Sequence, residues 1–224
     1  MATDQPAEEM THFFDARAGD YDAHMRTVIP SFDAFYSGLA EPLPASDAPI
    51  RVLDLGCGTG LELAGIWARA PRARITGIDL SAQMLARLRE RYLSRAEQLE
   101  LVQGSYLTHP LGAEVFDFAV SAMTLHHLPP EQKAVLYARL RKSLRPGGAY
   151  VEGDYVVEPA EEARLLLAFR QATRAEEPGA PLRHLDAPAS LATQEALLGG
   201  AGFSGFHLRW HEGEAAIYSG VAPG

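Results

Sequence analysis

The stretch "VLDLGCGTG" (Val52–Gly60) decides how the chain reads: aliphatic residues carrying one acid, Asp54, run into glycines at 56, 58 and 60. "IRVLDL" before the turn has the composition of a buried strand, and "LELAGIWARA" after it that of a helix. Glycines at such a junction remove side chains, so a ligand can touch backbone, and the helix start offers unpaired N–H groups. In open α/β sheets ligands sit beyond the carboxyl ends of the strands. A dinucleotide site wants G-x-G-x-x-G around a pyrophosphate, whereas this turn reads Gly56-x-Gly58-x-Gly60 with Asp54 two residues before the first glycine. A carboxylate there repels phosphate and suits an ammonium or a sulfonium. The next strand ends "ITGIDLS", placing Asp79 about 20 residues beyond the turn, where a carboxylate accepts both ribose hydroxyls. A nucleoside with positive charge and no phosphate fits S-adenosylmethionine.

Working outward, strands are expected at 50–55, 74–79, 99–103, 115–121, 148–157, 203–210 and 214–219. Helices are expected near 60–70, 82–96, 131–144, 160–177 and 190–201. This alternation is that of an α/β fold with a doubly wound, seven-stranded, mostly parallel sheet. Only "HEG" separates the last two strands, so they form an antiparallel hairpin. Residues 8–40 read as mainly helical, with Phe13, Phe14, Tyr21, Met25, Ile29, Phe32 and Phe35 at helical spacings, and "EPLPASDAP" reads as a linker.

Composition narrows the function classes. The 224 residues are 47% hydrophobic and 22% charged, enough for one full core. A formal charge of −9 lacks the basic surface that a phosphate backbone needs, so nucleic acid is not an expected partner. Cys57 is the single cysteine, which excludes an intramolecular disulfide and a cysteine metal cluster. "MATDQPAEEMTHFFD" carries acids where a signal peptide carries a basic and then an apolar segment, and no run reaches transmembrane length. A soluble cytoplasmic protein without membrane partners is expected, its oligomeric state open.

These motifs together resemble the class I S-adenosylmethionine-dependent methyltransferase family, of the small-molecule type. "VLDLGCGTG" matches its first motif, "GIDLS" its acidic second, and "LRPGG" (144–148) the turn before its fifth strand, over a span from Ile50 to Tyr218. The resemblance implies the strand order 3-2-1-4-5-7-6 with the seventh strand antiparallel, and a cap over residues 1–45. The methyltransferase domain would then be 46–224, with a cap insertion near 156–190, all one folding unit. It implies that Asp54, Gly56, Gly58 and Gly60 surround the methionyl part, and Cys57, a small residue inside the same turn, is counted with them as a cofactor-binding position. Asp79 would hold the ribose, and Leu80 and Met84 flank adenine. After the third strand the family shows an acid toward the adenine amino group; this chain has Gly104, Ser105 and Tyr106 instead. Ser121 to Thr124 would line the transferring methyl, and Tyr21, with Arg17 nearby, would reach the methionyl carboxylate.

Candidates for chemistry come from the later strands. In "GGAYVEGDYVVEP" the alternation puts Tyr150, Glu152 and Asp154 on one face, and a strand buried on both faces rarely tolerates two carboxylates. "LRHLDAP" places His184 and Asp186 in a loop before the last helix, where with Asp154 they would form a base and its orienting partners, or hold a cation. Catalytic candidates are Asp154, His184 and His126, the last beside His127 in a pocket-shaping loop; Tyr155, Asp186 and Phe32 are substrate candidates. No metal is expected, because the Asp-Asn pair of catechol methyltransferases is not evident. The segments 8–45 and 156–190 are available to cover the cleft, which favours a small enclosed acceptor methylated at oxygen, nitrogen or carbon. The alternatives are a non-methylating enzyme on the same scaffold and a cofactor-binding regulator without turnover.

Overall fold

The computed structural model describes residues 8–175 and 180–224. The first seven residues of the expected cap, and 176–179 within the expected insertion and helix, lie outside the described residues. Three short helices, α1 (Met10–Arg17), α2 (Tyr21–Val28) and α3 (Phe32–Gly38), precede the sheet. They are separated by Gly19–Asp20 and by Pro30 with Ser31, whose φ of 45° is left-handed. Proline's fixed φ and missing N–H disfavour continuing the second helix. Strands β1 (Arg51–Leu55), β2 (Arg74–Asp79), β3 (Leu99–Gln103), β4 (Phe116–Ala122), β5 (Leu144–Tyr155), β6 (Ser204–Glu212) and β7 (Ala215–Val221) form one sheet. Their order is 3-2-1-4-5-7-6, with β7 antiparallel to both neighbours, as expected.

Helices α4 (Leu63–Arg69) and α5 (Ala82–Arg91) cover one face together with α2 and α3, while α6 (Pro130–Ser143) and α8 (Leu191–Gly200) cover the other; α7 (Pro159–Ala172) follows β5. Met25, Ile29, Phe35, Leu39 and Leu43 of the N-terminal segment share a buried cluster with Val52, Ile75 and Ile217 of the sheet. At roughly 1.5 to 3 kcal/mol for each large apolar side chain removed from water, that contact fastens the segment to the sheet.

The largest differences from the sequence reading fall at four element boundaries, the rest agreeing to within two residues. Helix α4 starts at Leu63 because Gly60, at φ 73°, is still part of the turn. Helix α5 ends at Arg91 and a 3₁₀ segment, Leu93–Gln98, completes the connection. Helix α7 ends at Ala172 rather than running on to 177. "LRPGG" belongs to β5, where it forms an irregularity: Phe116 pairs with Leu144 but Phe118 with Ala149, and Gly147 turns through φ 79°. Among the described residues no helix is long and apolar enough to cross a membrane.

Candidate active site

β1 carries Asp54 and Leu55 to the turn, where Gly56 takes φ 65° and its N–H donates to the Ile78 carbonyl at 2.8 Å. A Cβ at Gly56 would collide with the Thr124 side chain after β4, so only glycine fits this close approach. The Gly58 N–H donates to Asp79 Oδ2 at 2.8 Å, and the Ser81 N–H to Asp79 Oδ1 at 2.8 Å. Asp79 thus ties the first turn to the start of α5. Burial pushes its pKa up to about 6, against the pull of those two backbone donors.

Asp54 is fully buried and neither of its oxygens has a hydrogen-bond partner; Glu62 Oε1, also buried, has none. Burial first, and Glu62 second, hold the Asp54 carboxyl well above the usual carboxylate range, and burial raises Glu62 too. Two facing acids without a cation are costly in a protein interior, and a bound ammonium relieves both. Glu62 was missed in the sequence, although an acid inside the apolar run "LELAGIW" was visible there.

Helices α1 and α2 lie over this turn. Asp15 accepts from Ser81 Oγ at 2.5 Å and from the Gln83 N–H at 3.2 Å. Asp22 accepts from Thr59 Oγ1 at 2.6 Å and pairs with Arg91. The two covering segments also meet one another: the Met10 N–H donates to the Leu182 carbonyl, and the His184 N–H to the Glu8 carbonyl. Beneath them a narrow groove of about 40 Å³ is lined by Gly56, Gly58, Asp79, Leu80, Met84 and Tyr106, with Phe14 and Tyr21 above. Phe14, Tyr21, Met123 and His127 are shared with an adjoining cavity of about 530 Å³, whose far wall carries His126, Tyr155, His184 and Asp186. Burial raises the Tyr21 pKa, so its phenol is neutral at the junction of the two spaces, and the hydroxyl makes no hydrogen bond among the described residues.

The polar wall is organised by a buried carboxylate. Asp154 Oδ2 accepts the Leu125 and His126 N–H groups at 2.8 and 2.9 Å, and Oδ1 lies 2.5 Å from His126 Nδ1. His126 Nε2 stands 3.8 Å from Asp186 Oδ1, and His127 Nδ1 stands 3.0 Å from the same oxygen. Burial alone would lower the His126 pKa, but Asp154 outweighs it and the pKa is raised. His127, buried beside His126, is lowered to about 4. Burial would raise Asp186, but the hydrogen bond to His127 and the charges around it hold it down at about 2. His184 stacks on Phe13 with ring centroids 3.5 Å apart and faces His127 at 4.8 Å.

Several expected site residues are placed elsewhere. Ser121 is buried beneath the groove with its hydroxyl 2.7 Å from the Tyr150 hydroxyl, because alternation along β4 turns it into the core; Met123 and Thr124 line the groove instead. Cys57 packs against Gly77, and Gly60 packs among Leu63, Leu88 and Tyr92. Gly104 and Ser105 are not among the groove lining, and Ser105 Oγ accepts from the Leu107 N–H. Phe32 packs against Tyr36 at a tilt of 50° and under Arg26, outside the cavity wall. Asp154 lies behind His126 rather than on the wall. Glu152 accepts from Tyr137, Tyr150 and Tyr218 at 2.7, 2.8 and 2.6 Å, with Lys133 Nζ at 3.9 Å, a core network away from the cavity.

A family model described as a methyltransferase domain matches residues 52–148. The ubiquinone/menaquinone biosynthesis C-methyltransferase UbiE of Syntrophotalea carbinolica is 29% identical over 231 residues, covering 96% of this chain and 95% of that protein. The carboxy-S-adenosyl-L-methionine synthase of Shewanella putrefaciens is 28% identical over 222 residues, covering 91% of this chain and 90% of that one. Among solved structures, the DhpI-SAM-HEP complex superposes with a TM-score of 0.69 at 22% identity over 95% of each chain, a likeness of fold. The residues fit S-adenosylmethionine on their own chemistry: buried acids without partners behind the turn for an ammonium, a strand-end carboxylate for hydroxyls, and Leu80 and Met84 as apolar walls of the groove. The glycine turn, the strand order and these relatives agree: the chain carries a methyltransferase domain over residues 52–148 and has the fold of the class I S-adenosylmethionine-dependent methyltransferases.

Proposed function

We propose that the groove holds S-adenosylmethionine against Asp54, Gly56, Gly58 and Asp79, and that the adjoining cavity holds a small acceptor methylated at oxygen, nitrogen or carbon. The observation that carries this reading is the continuity of the two spaces, with Tyr21, Met123 and His127 at their junction. When bound, the cofactor supplies a methyl group on a sulfonium, which leaves for the acceptor while the C–S electron pair stays on sulfur.

The chain's own residues supply placement. Asp54 and Glu62 receive the ammonium, Asp79 accepts the ribose hydroxyls, and Leu80, Met84 and Tyr106 enclose the adenine. Tyr21 donates its free hydroxyl to the methionyl carboxylate, which suits a phenol kept neutral by burial. Phe14 and Tyr21, which line the groove and also face the adjoining cavity, cover the ligand there. Such covers exclude water and hold reactants in line, the two factors on which displacement at a methyl group chiefly depends.

On the acceptor side His126 is the catalytic residue. Asp154 fixes its Nδ1–H, which leaves Nε2 to take the proton that the acceptor loses. Asp154 is a positioning residue, and Tyr155, His184 and Asp186 contact the acceptor. The net charge of −9 supports an acceptor other than nucleic acid, and the single cysteine fits a reducing cytoplasm.

The test is incubation with methyl-labelled cofactor and a panel of small hydroxy acids, phenols, quinols and amines. Labelled acceptor together with S-adenosylhomocysteine is the expected product. The whole-length similarity to a carboxy-S-adenosyl-L-methionine synthase favours one other reading, in which the cofactor itself is modified. Appearance of a modified cofactor with no labelled acceptor would select it.

A further inference from the structure

His126, His127 and Asp186 each offer one ligand atom, and these atoms lie within 4.8 Å of one another. Both histidines are more than nine-tenths buried, while the Asp186 side chain is 54% exposed on the loop before α8. Three features distinguish the group from a chance cluster. Two imidazoles and one carboxylate on a single face are the donor set that divalent first-row ions select, with remaining positions open for substrate. The Nδ1 of His126 is bound to a buried carboxylate, Asp154, at 2.5 Å, the outer contact that fixes the tautomer and orientation of a metal-ligating histidine. The group stands on the wall of the 530 Å³ cavity, so the open positions would face the acceptor.

We infer that His126 Nε2, His127 Nδ1 and Asp186 form a binding site for one divalent first-row transition ion at the acceptor end of the cavity. Ligand atoms about 2.1 Å from a common ion lie about 3 to 3.5 Å apart. The observed separations of 3.0 and 3.8 Å to Asp186 Oδ1 are near that range. The three ligand atoms lie within 4.8 Å of one another, so closing the set needs the two imidazoles and the carboxylate to draw together by on the order of 1 Å. In the metal-free chain His127 Nδ1 lies 3.2 Å from the Leu185 carbonyl as well as beside Asp186, so loading moves the His127 proton to Nε2. The consequence for turnover rests on the proposed acceptor site. A cation there favours an acceptor that presents an acidic hydroxyl or an enol, held as its anion, and it replaces His126 as the group that makes the proton leave.

The test uses the full chain, freed of any affinity tag, stripped with chelator and without cofactor or acceptor. Co(II), Zn(II) and Mn(II) are titrated separately by calorimetry, with the visible absorption of Co(II) as a second readout. One equivalent of Co(II) or Zn(II) bound in the low-micromolar range, with ligand-field bands that D186N abolishes, is expected. Asp154→Asn should weaken binding roughly 10- to 100-fold through the orientation of His126. D186N lies on an exposed loop and should fold, which circular dichroism checks. Absence of stoichiometric binding in wild type, or binding that D186N leaves unchanged, would overturn the site. S-adenosylhomocysteine titrated into the same stripped sample keeps that failure distinct from a failure of the methyltransferase reading.

Discussion

Asp54→Asn should make the free protein more stable and the cofactor weaker, an opposition that few substitutions produce. In the free chain two buried carboxylates face one another, and Asp54 Oδ1, Asp54 Oδ2 and Glu62 Oε1 have no hydrogen-bond partner. Burial and the Glu62 charge raise the Asp54 pKa well above its ordinary value, so the folded state suffers as pH rises and the acid ionises. An asparagine has almost the same shape, carries no charge, and can donate its amide to Glu62. Relief of one unsatisfied buried polar group is worth about 1 to 3 kcal/mol. In a chain of this size each kcal/mol raises the melting temperature by about 2–4 °C. The same substitution removes a charge-assisted hydrogen bond to the cofactor ammonium, about 1.5 to 3 kcal/mol, or a loss of roughly 10- to 150-fold in affinity. Scanning calorimetry of the free protein and titration calorimetry with S-adenosylhomocysteine at pH 7.5 read the two effects separately. A variant that melts lower and binds as tightly as wild type would refute the reasoning, since Asp54 would then be scaffold and not a cation site.

Three further outcomes follow from the same geometry. Asp79→Ala should lower cofactor affinity at least tenfold, about 1.4 kcal/mol, and unchanged affinity in a folded variant would remove the ribose assignment. The Asp79 pKa, raised to about 6, means that its proton stabilises the free fold below its unfolded value near 3.8 and that this contribution disappears as pH rises through 6. Because the ribose needs the ionised carboxylate, cofactor affinity should fall as pH drops through about 6, and Asp79→Asn should flatten that part of the profile; identical profiles in both proteins would contradict it. Asp154→Asn should lower kcat strongly while leaving S-adenosylhomocysteine affinity within about twofold, because Asp154 touches His126 and not the groove. Parallel losses of binding and turnover would make it a structural residue.

The centre of the sheet was legible because β1, β2 and β4 are short runs rich in apolar residues and glycine or proline stands in several of the connections. The hairpin from "HEG" alone predicted the reversed strand that the structure contains. The turn was legible for a different reason: spacing along β1 and its turn fixes Asp54, Gly56 and Gly58 relative to one another, and Asp79 ends the neighbouring parallel strand β2. What could not be read depends on side-chain direction or on long-range contact. Ser121 lies within β4 on the face toward Tyr150, whereas Met123 and Thr124 reach the groove from beyond the strand's end at Ala122, where Met123 takes φ 50° and strand alternation no longer applies. The pairing of His126 with Asp154 joins residues 28 apart across two strands, and Asp186 arrives from a loop that no local pattern ties to His127. The burial of Lys133 had a local signal, since Lys133, Leu136, Tyr137 and Leu140 share one helical face and all four are buried.

The measurement that tests the central claim most directly is titration calorimetry of the protein, freed of copurified ligand, with S-adenosylmethionine, S-adenosylhomocysteine and NAD. The account predicts saturable binding of the first two at one per chain and no binding of NAD, because Asp54 beside the turn rejects a pyrophosphate. Folded protein that binds neither sulfur compound, or that binds NAD as well as them, would contradict it.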